Sequence, residues 1–305
     1  MYDVVIIGAG PAGYTAGIYC SRARHNTLLI SGILPGGQLM NTTDVENYPG
    51  FSDGIMGPDL MTVMRKQTEK MGTKIIDDEV TSVDFKVNPL KVKTASEEFE
   101  AKTVIVCTGA NPRKIGLDGE QTFAGKGVSY CATCDGAFFK DQELIVVGGG
   151  DSAMEEATFL TKFASTVHII HRREEFRASK IMQERALANE KIKVHFNCTV
   201  KDIQGDQKFR KVILNNTKTN EDETLDAGGL FVAIGHEPNS KMFQNQLELD
   251  ENGYVIIKNN TETSIPGVFC AGDVHDHRYR QAVTAAGFGC MAAIDVDKYL
   301  AESKN

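Results

Sequence analysis

No apolar run in this sequence of 305 residues approaches the ~18 residues that a membrane-spanning helix requires. The first residues, Met1 and then Asp3-Val-Val-Ile-Ile-Gly8, show no basic segment, apolar signal core or Arg-rich transit pattern. The expected address is therefore the cytoplasm, with no membrane partner. Positive charge is also short: 33 Lys and Arg stand against 41 Asp and Glu, a net −8. Broad nucleic-acid binding needs a basic surface that releases counterions from phosphates, so no nucleic-acid partner is expected. Low-complexity segments and short-period repeats are missing. Disorder is excluded by a composition that is 41% hydrophobic and 24% charged. Cysteines are few and odd in number: Cys20, Cys107, Cys131, Cys134, Cys198, Cys270 and Cys290. Such a set does not read as a secreted disulfide framework. The five outside the 131–134 pair sit among apolar or small residues and are expected to be buried packing.

What is present is an alternation of strands and helices. Val4-Val-Ile-Ile7 runs into Gly8-Ala-Gly10-Pro-Ala-Gly13, a helical stretch over 14–23 and a strand at Leu28-Leu-Ile30. The arrangement returns 140 residues later. Leu144-Ile-Val-Val147 leads into Gly148-Gly-Gly150-Asp-Ser-Ala153, a helix over 154–163 and a strand at Val167-His-Ile-Ile170. Each is a βαβ unit. Each is also followed by an apolar strand stopped by glycine with proline close behind, Gly109/Pro112 and Gly235/Pro238. The prolines mark linkers. The tail after 245, with a final helix over 280–300, is too small for a domain of its own and is expected to return to the first. The fold class is therefore α/β, with two Rossmann-like dinucleotide-binding domains, the second inserted into the first. The boundaries are 1–112 plus 245–305, and 113–244.

Three motifs carry chemistry. In Gly8-x-Gly10-x-x-Gly13, the first glycine makes the turn, the second admits a pyrophosphate and the third lets helix and strand pack closely. The helix N-terminus then offers free N–H groups and a positive dipole. The strand that follows ends in Ser31-Gly32, without the acidic residue that usually grips a ribose, so the loop from Ser31 to Gln38 is expected to hold adenosine. The second motif, Gly148-x-Gly150-x-x-Ala153, has His171-Arg172-Arg173 at the end of its second strand, and Arg177 nearby. Guanidiniums there favour a 2′-phosphate, hence NADPH over NADH. The competing reading is a solvated basic face partnered by Glu174 and Glu175. The third motif is Cys131-Ala-Thr-Cys134-Asp135. No second C-x-x-C or His pair stands near it, so redox chemistry is favoured over zinc and no metal is expected. C-x-x-C spacing commonly lowers one thiol's pKa. Asp135 reads either as a proton shuttle or as a turn aspartate. Two nucleotide sites and one dithiol suggest an electron chain from NADPH through a carrier to a disulfide, and flavin is such a carrier.

These segments, with Gly36-Gly-Gln38, Glu46-Asn47-Tyr-Pro-Gly50, Ala271-Gly-Asp273 and Tyr279-Arg-Gln-Ala282, resemble the low-molecular-weight thioredoxin reductases from residue 3 to about 300. The resemblance implies a homodimeric flavoprotein that passes electrons from NADPH to thioredoxin or a thioredoxin-like protein. It implies FAD at Gly8, Gly10, Pro11, Ala12, Gly13, Ser31, Gly36, Gly37, Gln38, Asn47, Val80, Thr108, Gly109, Asp273, Arg280, Gln281 and Ala282. NADPH would take Gly148, Gly150, Asp151, Ser152, Ala153, His171, Arg172, Arg173 and Arg177. Catalysis would fall to Cys131, Cys134 and Asp135, with Cys134 at the flavin and Cys131 at the exchange step. Rotation of one domain between half-reactions is implied as well. Two departures stand out. Phe288 lies where the family has a small or polar residue, and the Ile33-Leu34-Pro35 loop is unusually apolar. The alternatives are a flavin dithiol oxidase, a peroxiredoxin-reducing flavoprotein and a nucleotide-dependent interaction protein. His171-Arg172-Arg173 opposes the first, the absence of a leading thiol domain the second, and the intact cysteine pair the third.

Overall fold

The computed structural model describes residues 1–32 and 35–303. Ile33 and Leu34, in the loop assigned above to adenosine, lie outside the described residues. The chain forms two compact units, one of residues 1–111 and 237–305 and one of residues 112–236.

The first unit is built on Tyr2–Ile7. Both of its neighbours, Thr27–Ile30 and Glu98–Val106, pair with it in parallel. Lys74–Ile76 extends the parallel sheet on one side and Val268–Cys270 on the other. Leu90–Thr94 and Val80–Asp84 continue it antiparallel. Side chains alternate across a strand, so an unbroken apolar run signals a sheet covered on both faces. Val4 and Ile6 enter one core, with Ala12, Tyr14, Leu60 and Ala292 from three helices. Val5 and Ile7 enter the other, with Phe85, Val92 and Phe243. Val80 is a buried member of that second core.

The second unit repeats the plan. Its parallel sheet runs in the order Val128–Ser129, Gly229–Val232, Glu143–Val147, Thr166–His171, Ile192–Phe196. Leu144 and Val146 face the Asp151–Leu160 helix. Ile145 faces a three-stranded antiparallel sheet of Cys198–Gly205, Phe209–Asn216 and Asp222–Asp226.

The structure moves several boundaries, among them the start of the first helix, at Pro11 and not at 14, and Pro112, which falls in the second unit. Residues 237–244, assigned from sequence to the inserted domain, pack with the first unit: Phe243 is fully buried and stacks on Phe85 at 6.1 Å. The final helix runs Ala282–Glu302, not from Arg280, whose φ of 49° is left-handed. Gln281 caps it reciprocally with Thr284. The second glycine motif opens its helix at Asp151, three residues earlier than the sequence suggested.

The first and last helices of the first unit touch backbone to backbone. A Cβ on Gly289 would lie 2.1 Å from the Ala12 carbonyl oxygen. Gly289→Ala must therefore push the two helices apart. Stability should fall by about 1–3 kcal/mol, the usual overpacking cost, measured as a lower urea midpoint at unchanged slope.

Candidate active site

The first glycine motif is fixed by contact. A Cβ on Gly13 would lie 1.9 Å from the Gly8 carbonyl oxygen, so only glycine fits there. Gly10 faces open space, and Pro11 opens the helix with neither a side-chain cap nor an acidic residue in the first turn. Its leading amides are thus unclaimed, as an anion site requires. The Gly36 N–H donates to the Ala9 carbonyl (2.9 Å), and a Cβ on Gly37 would lie 3.7 Å from the Gly10 Cα. Ser31 carries no acid, yet a carboxylate is present: Ser31 Oγ donates to Asp77 Oδ1 (2.8 Å). Arg65 grips the same Asp77 through two bonds of 2.7 and 3.0 Å. Sequence reading missed Asp77 because the parallel strand Lys74–Ile76, not local spacing, brings it there.

Hydrogen bonds tie other first-unit residues together in groups. Gln38 Nε2 donates to Asn111 Oδ1 (2.6 Å) and Asn111 Nδ2 to Asn239 Oδ1 (2.9 Å). Asn239 in turn bonds the backbone of Thr108 and Gly109, and the Thr108 hydroxyl donates to its carbonyl. Asn47 Nδ2 reaches Gln281 Oε1 at 3.4 Å. Gly272 packs on Ala12, which sets Asp273 beside the first motif. Asp273 Oδ1 is buried with no hydrogen-bond partner among the described residues. Burial, then the Asp276 carboxylate, push its pKa up to about 7, against a smaller opposing pull from Arg280. Asp276 receives the N–H groups of Arg278, Tyr279 and Arg280 at 3.0–3.3 Å, and so shapes the turn that presents Arg280 to Ala282. Phe288, the departure noted above, meets the His275 ring edge-on at 4.4 Å.

In the second unit the cysteines form a disulfide, with Cα atoms 5.3 Å apart. Cys131 is the N-cap of the short helix Ala132–Asp135, and Cys134 lies within it. Its two small residues explain its seat: Ala132 is buried, and a Cβ on Gly136 would meet Leu160 at 2.9 Å. Cys134 is exposed and Cys131 half-buried. The Asp135 carboxyl is largely enclosed, and burial raises its pKa, opposed only by a hydrogen bond from Ser129. Ser129 Oγ lies 2.5 Å from Asp135 Oδ2 and accepts the Cys131 N–H at 3.0 Å. A second residue absent from the sequence reading is Glu120, 1% exposed. It accepts from Ile115 N–H (3.0 Å), Gly116 N–H (2.8 Å) and the Tyr130 hydroxyl (3.1 Å). A glutamate in a polar stretch gives no sequence sign of such burial.

At the second glycine motif, Gly150 faces open space, while a Cβ on Gly149 would collide with the His171 ring at 2.2 Å. That ring is buried and donates from Nε2 to the Glu175 carbonyl (2.9 Å), and burial lowers its pKa. Asp151 Oδ1 takes the Ser179 N–H at 2.6 Å. Ala153 is buried beneath the turn, and its N–H donates to Gly150. Arg172, Arg173 and Arg177 are exposed. Among the described residues no ion pair engages them: Glu174 pairs instead with Lys218 (2.6 Å). The solvated-face reading, with Glu174 and Glu175 as partners, therefore loses its partners.

Comparison with known proteins gives the class. Residues 2–289 match the pyridine nucleotide-disulphide oxidoreductase family. A curated thioredoxin reductase of Streptomyces clavuligerus is 55% identical over 303 residues, 98% of this chain and 94% of its own. The solved thioredoxin reductase from Giardia duodenalis is 43% identical and superposes with a TM-score of 0.94, covering 98% of this chain and 99% of its own. That of Lactococcus lactis, in a conformation designated FR, is also 43% identical and covers 99% and 100%, but superposes at only 0.67. The chain belongs to the pyridine nucleotide-disulphide oxidoreductases and, within them, to the low-molecular-weight thioredoxin reductases. It is an enzyme of the oxidoreductase class.

Asp273 makes a measurable prediction for the ligand-free chain. Its pKa is about 7 folded against 3.8 unfolded, so the native state holds the extra proton between those values. Stability should then fall as pH rises from about 4 to about 7, by about 2–4 kcal/mol. Asp273→Asn should flatten this slope in urea unfolding across that range.

Proposed function

We propose that this chain catalyses NADPH-dependent reduction of the disulfide of thioredoxin, or of a thioredoxin-like protein, with FAD on the first unit and NADPH and the Cys131/Cys134 pair on the second. One observation carries the reading. A disulfide with an enclosed carboxyl beside it shares a unit with three exposed guanidiniums near the end of a nucleotide-motif strand. The first unit fits a flavin dinucleotide. Gly10 leaves space for a pyrophosphate against uncapped amides, and Asp273 presents a buried oxygen that lacks a hydrogen-bond partner among the described residues. Bound FAD supplies hydride acceptance from NADPH and delivery of an electron pair to a disulfide.

The protein's own groups do the rest. Arg172, Arg173 and Arg177 hold the 2′-phosphate by charge-assisted bonds. In the reduced form the Cys131 thiolate attacks the thioredoxin disulfide, forming a mixed disulfide and releasing one thioredoxin thiolate, which takes up a proton. Cys134, deprotonated, attacks Cys131, restores the 131–134 bond and expels the second thiolate. Asp135 receives and returns the proton at its carboxyl. Exposure in the disulfide form ranks the sulfurs the other way, so their roles rest on the resemblance. Cys134→Ser should trap, through Cys131, a thioredoxin that lacks its resolving cysteine. Trapping by Cys131→Ser and not by Cys134→Ser would reverse the assignment.

Two further features support the fuller scheme. Left-handed glycines, Gly109, Gly116 and Gly235, flank both chain crossings between the units, where a hinge over 111–116 and 236–245 would absorb dihedral change. The unequal superposition of two relatives at equal identity favours rotation of one unit. A homodimer is supported by apolar exposure on the last helix, at Val283, Met291 and Ile294. Cytoplasmic residence suits a chain whose other five cysteines are thiols.

The nucleotide assignment has its own test. Arg172→Ala with Arg173→Ala should weaken NADPH binding roughly 10²–10⁴-fold, since charge-assisted bonds contribute about 1.5–3 kcal/mol each. NADH binding should hardly change. Equal losses for both nucleotides in a calorimetric titration would remove the 2′-phosphate reading.

A further inference from the structure

Ser129 sits on the strand Val128–Ser129, two residues before the redox pair, and its backbone is held by parallel pairing with Phe231. The residue is 5% exposed. Its single hydroxyl touches three groups: Asp135 Oδ2 at 2.5 Å, the Cys131 N–H at 3.0 Å and the Cys131 carbonyl oxygen at 3.4 Å. A serine hydroxyl has one proton and two lone pairs. The Cys131 N–H occupies one lone pair. The proton and the other lone pair remain for the Asp135 carboxyl.

We propose that Ser129 is a positioning residue for proton transfer, a hydroxyl rotor that holds the Asp135 carboxyl in both of its protonation states while anchoring the backbone of Cys131. With Asp135 ionised, the Ser129 O–H donates to Oδ2. With Asp135 protonated, the carboxyl O–H donates to Ser129 Oγ, and the Ser129 proton turns to the Cys131 carbonyl. Neither state leaves a buried donor without an acceptor, an arrangement that would otherwise cost the desolvation of that group. Proton exchange at Asp135 therefore needs only rotation about one C–O bond, with no movement of the 131–135 turn.

The surroundings isolate this pair. The Ala132–Asp135 helix packs against the Asp151–Leu160 helix, which carries Asp151, Glu155 and Glu156, and against the Gly136–Phe139 turn, which has no titratable group. None of these adds a charge effect at Asp135, where burial and the Ser129 bond are the influences. In the reduced enzyme the Cys131 and Cys134 thiols join them. Burial favours the neutral acid, and the donated hydrogen bond favours the carboxylate. Loss of the hydroxyl therefore moves the carboxyl's titration upward.

The inference rests on the role given to Asp135 above, and the test separates the two. The pH dependence of thioredoxin reduction is measured in the flavin-loaded enzyme for wild type, Ser129→Ala, Ser129→Thr and Asp135→Asn. Flavin reduction by NADPH is followed in parallel. Ser129→Ala should move the Asp135-dependent limb to higher pH by about 1–2 units, the equivalent of one charge-assisted bond. It should leave flavin reduction unchanged, and Ser129→Thr should restore the profile. If Ser129→Ala does not fold, the isosteric pair Ser129→Val and Ser129→Thr gives the same comparison. A limb that Asp135→Asn abolishes but that loss of the Ser129 hydroxyl leaves in place overturns the rotor and spares the role of Asp135. A profile unaltered by Asp135→Asn overturns both.

Discussion

The carbonyl oxygen of Gly8 lies where a side chain on residue 13 would have to be, 1.9 Å from that position. This close approach fixes how the first helix leaves the central strand, and several first-unit site residues are placed against that turn. Gly272 and Gly289 lean on Ala12, and Gly36 bonds to Ala9. The strand glycine is equally tight in both units: a Cβ on Gly8 would meet the Cys107 carbonyl oxygen at 2.4 Å. In the second unit a Cβ on Gly148 would meet the Ala233 carbonyl oxygen at 2.4 Å and the Ala153 methyl at 2.7 Å. In both units the constraint leaves the candidate site at the carboxyl ends of parallel strands, where helix amides are free.

Buried carboxylates form a second theme. Glu120, Asp135 and Asp276 are held by hydroxyls or backbone amides rather than by Lys or Arg. Hydrogen bonds to neutral donors hold a carboxylate in place without the desolvation cost of a second buried charge. Asp273 is the exception, since its buried Oδ1 has no hydrogen-bond partner among the described residues. The group left unsatisfied is also the one that the motif pattern assigned to a ligand.

The repeated strand–glycine–helix pattern was legible in the sequence, because apolar runs of four residues bounded by glycine specify a strand buried on both faces. The redox pair and the arginine cluster were legible because their chemistry depends on local spacing. Ser129, Glu120, Asp77 and Asn239 were not. Each is an ordinary polar residue whose importance comes from partners distant in sequence or from burial that no local pattern encodes. Asn239 lies 131 residues from Thr108, which it bonds. The start of the last helix was misplaced for a related reason. Arg280 fits a helical pattern by composition, but three amides drawn to Asp276 force the chain through a left-handed turn first.

Cys20, Cys107, Cys198 and Cys270 are buried. Burial pushes the Cys20 thiol up to about 12 and raises the other three. Only a thiolate attacks a disulfide. Near neutral pH burial therefore keeps these sulfurs in the thiol form, which does not attack a disulfide. A protein whose work is dithiol exchange thereby carries four spectator cysteines without scrambling its own bond.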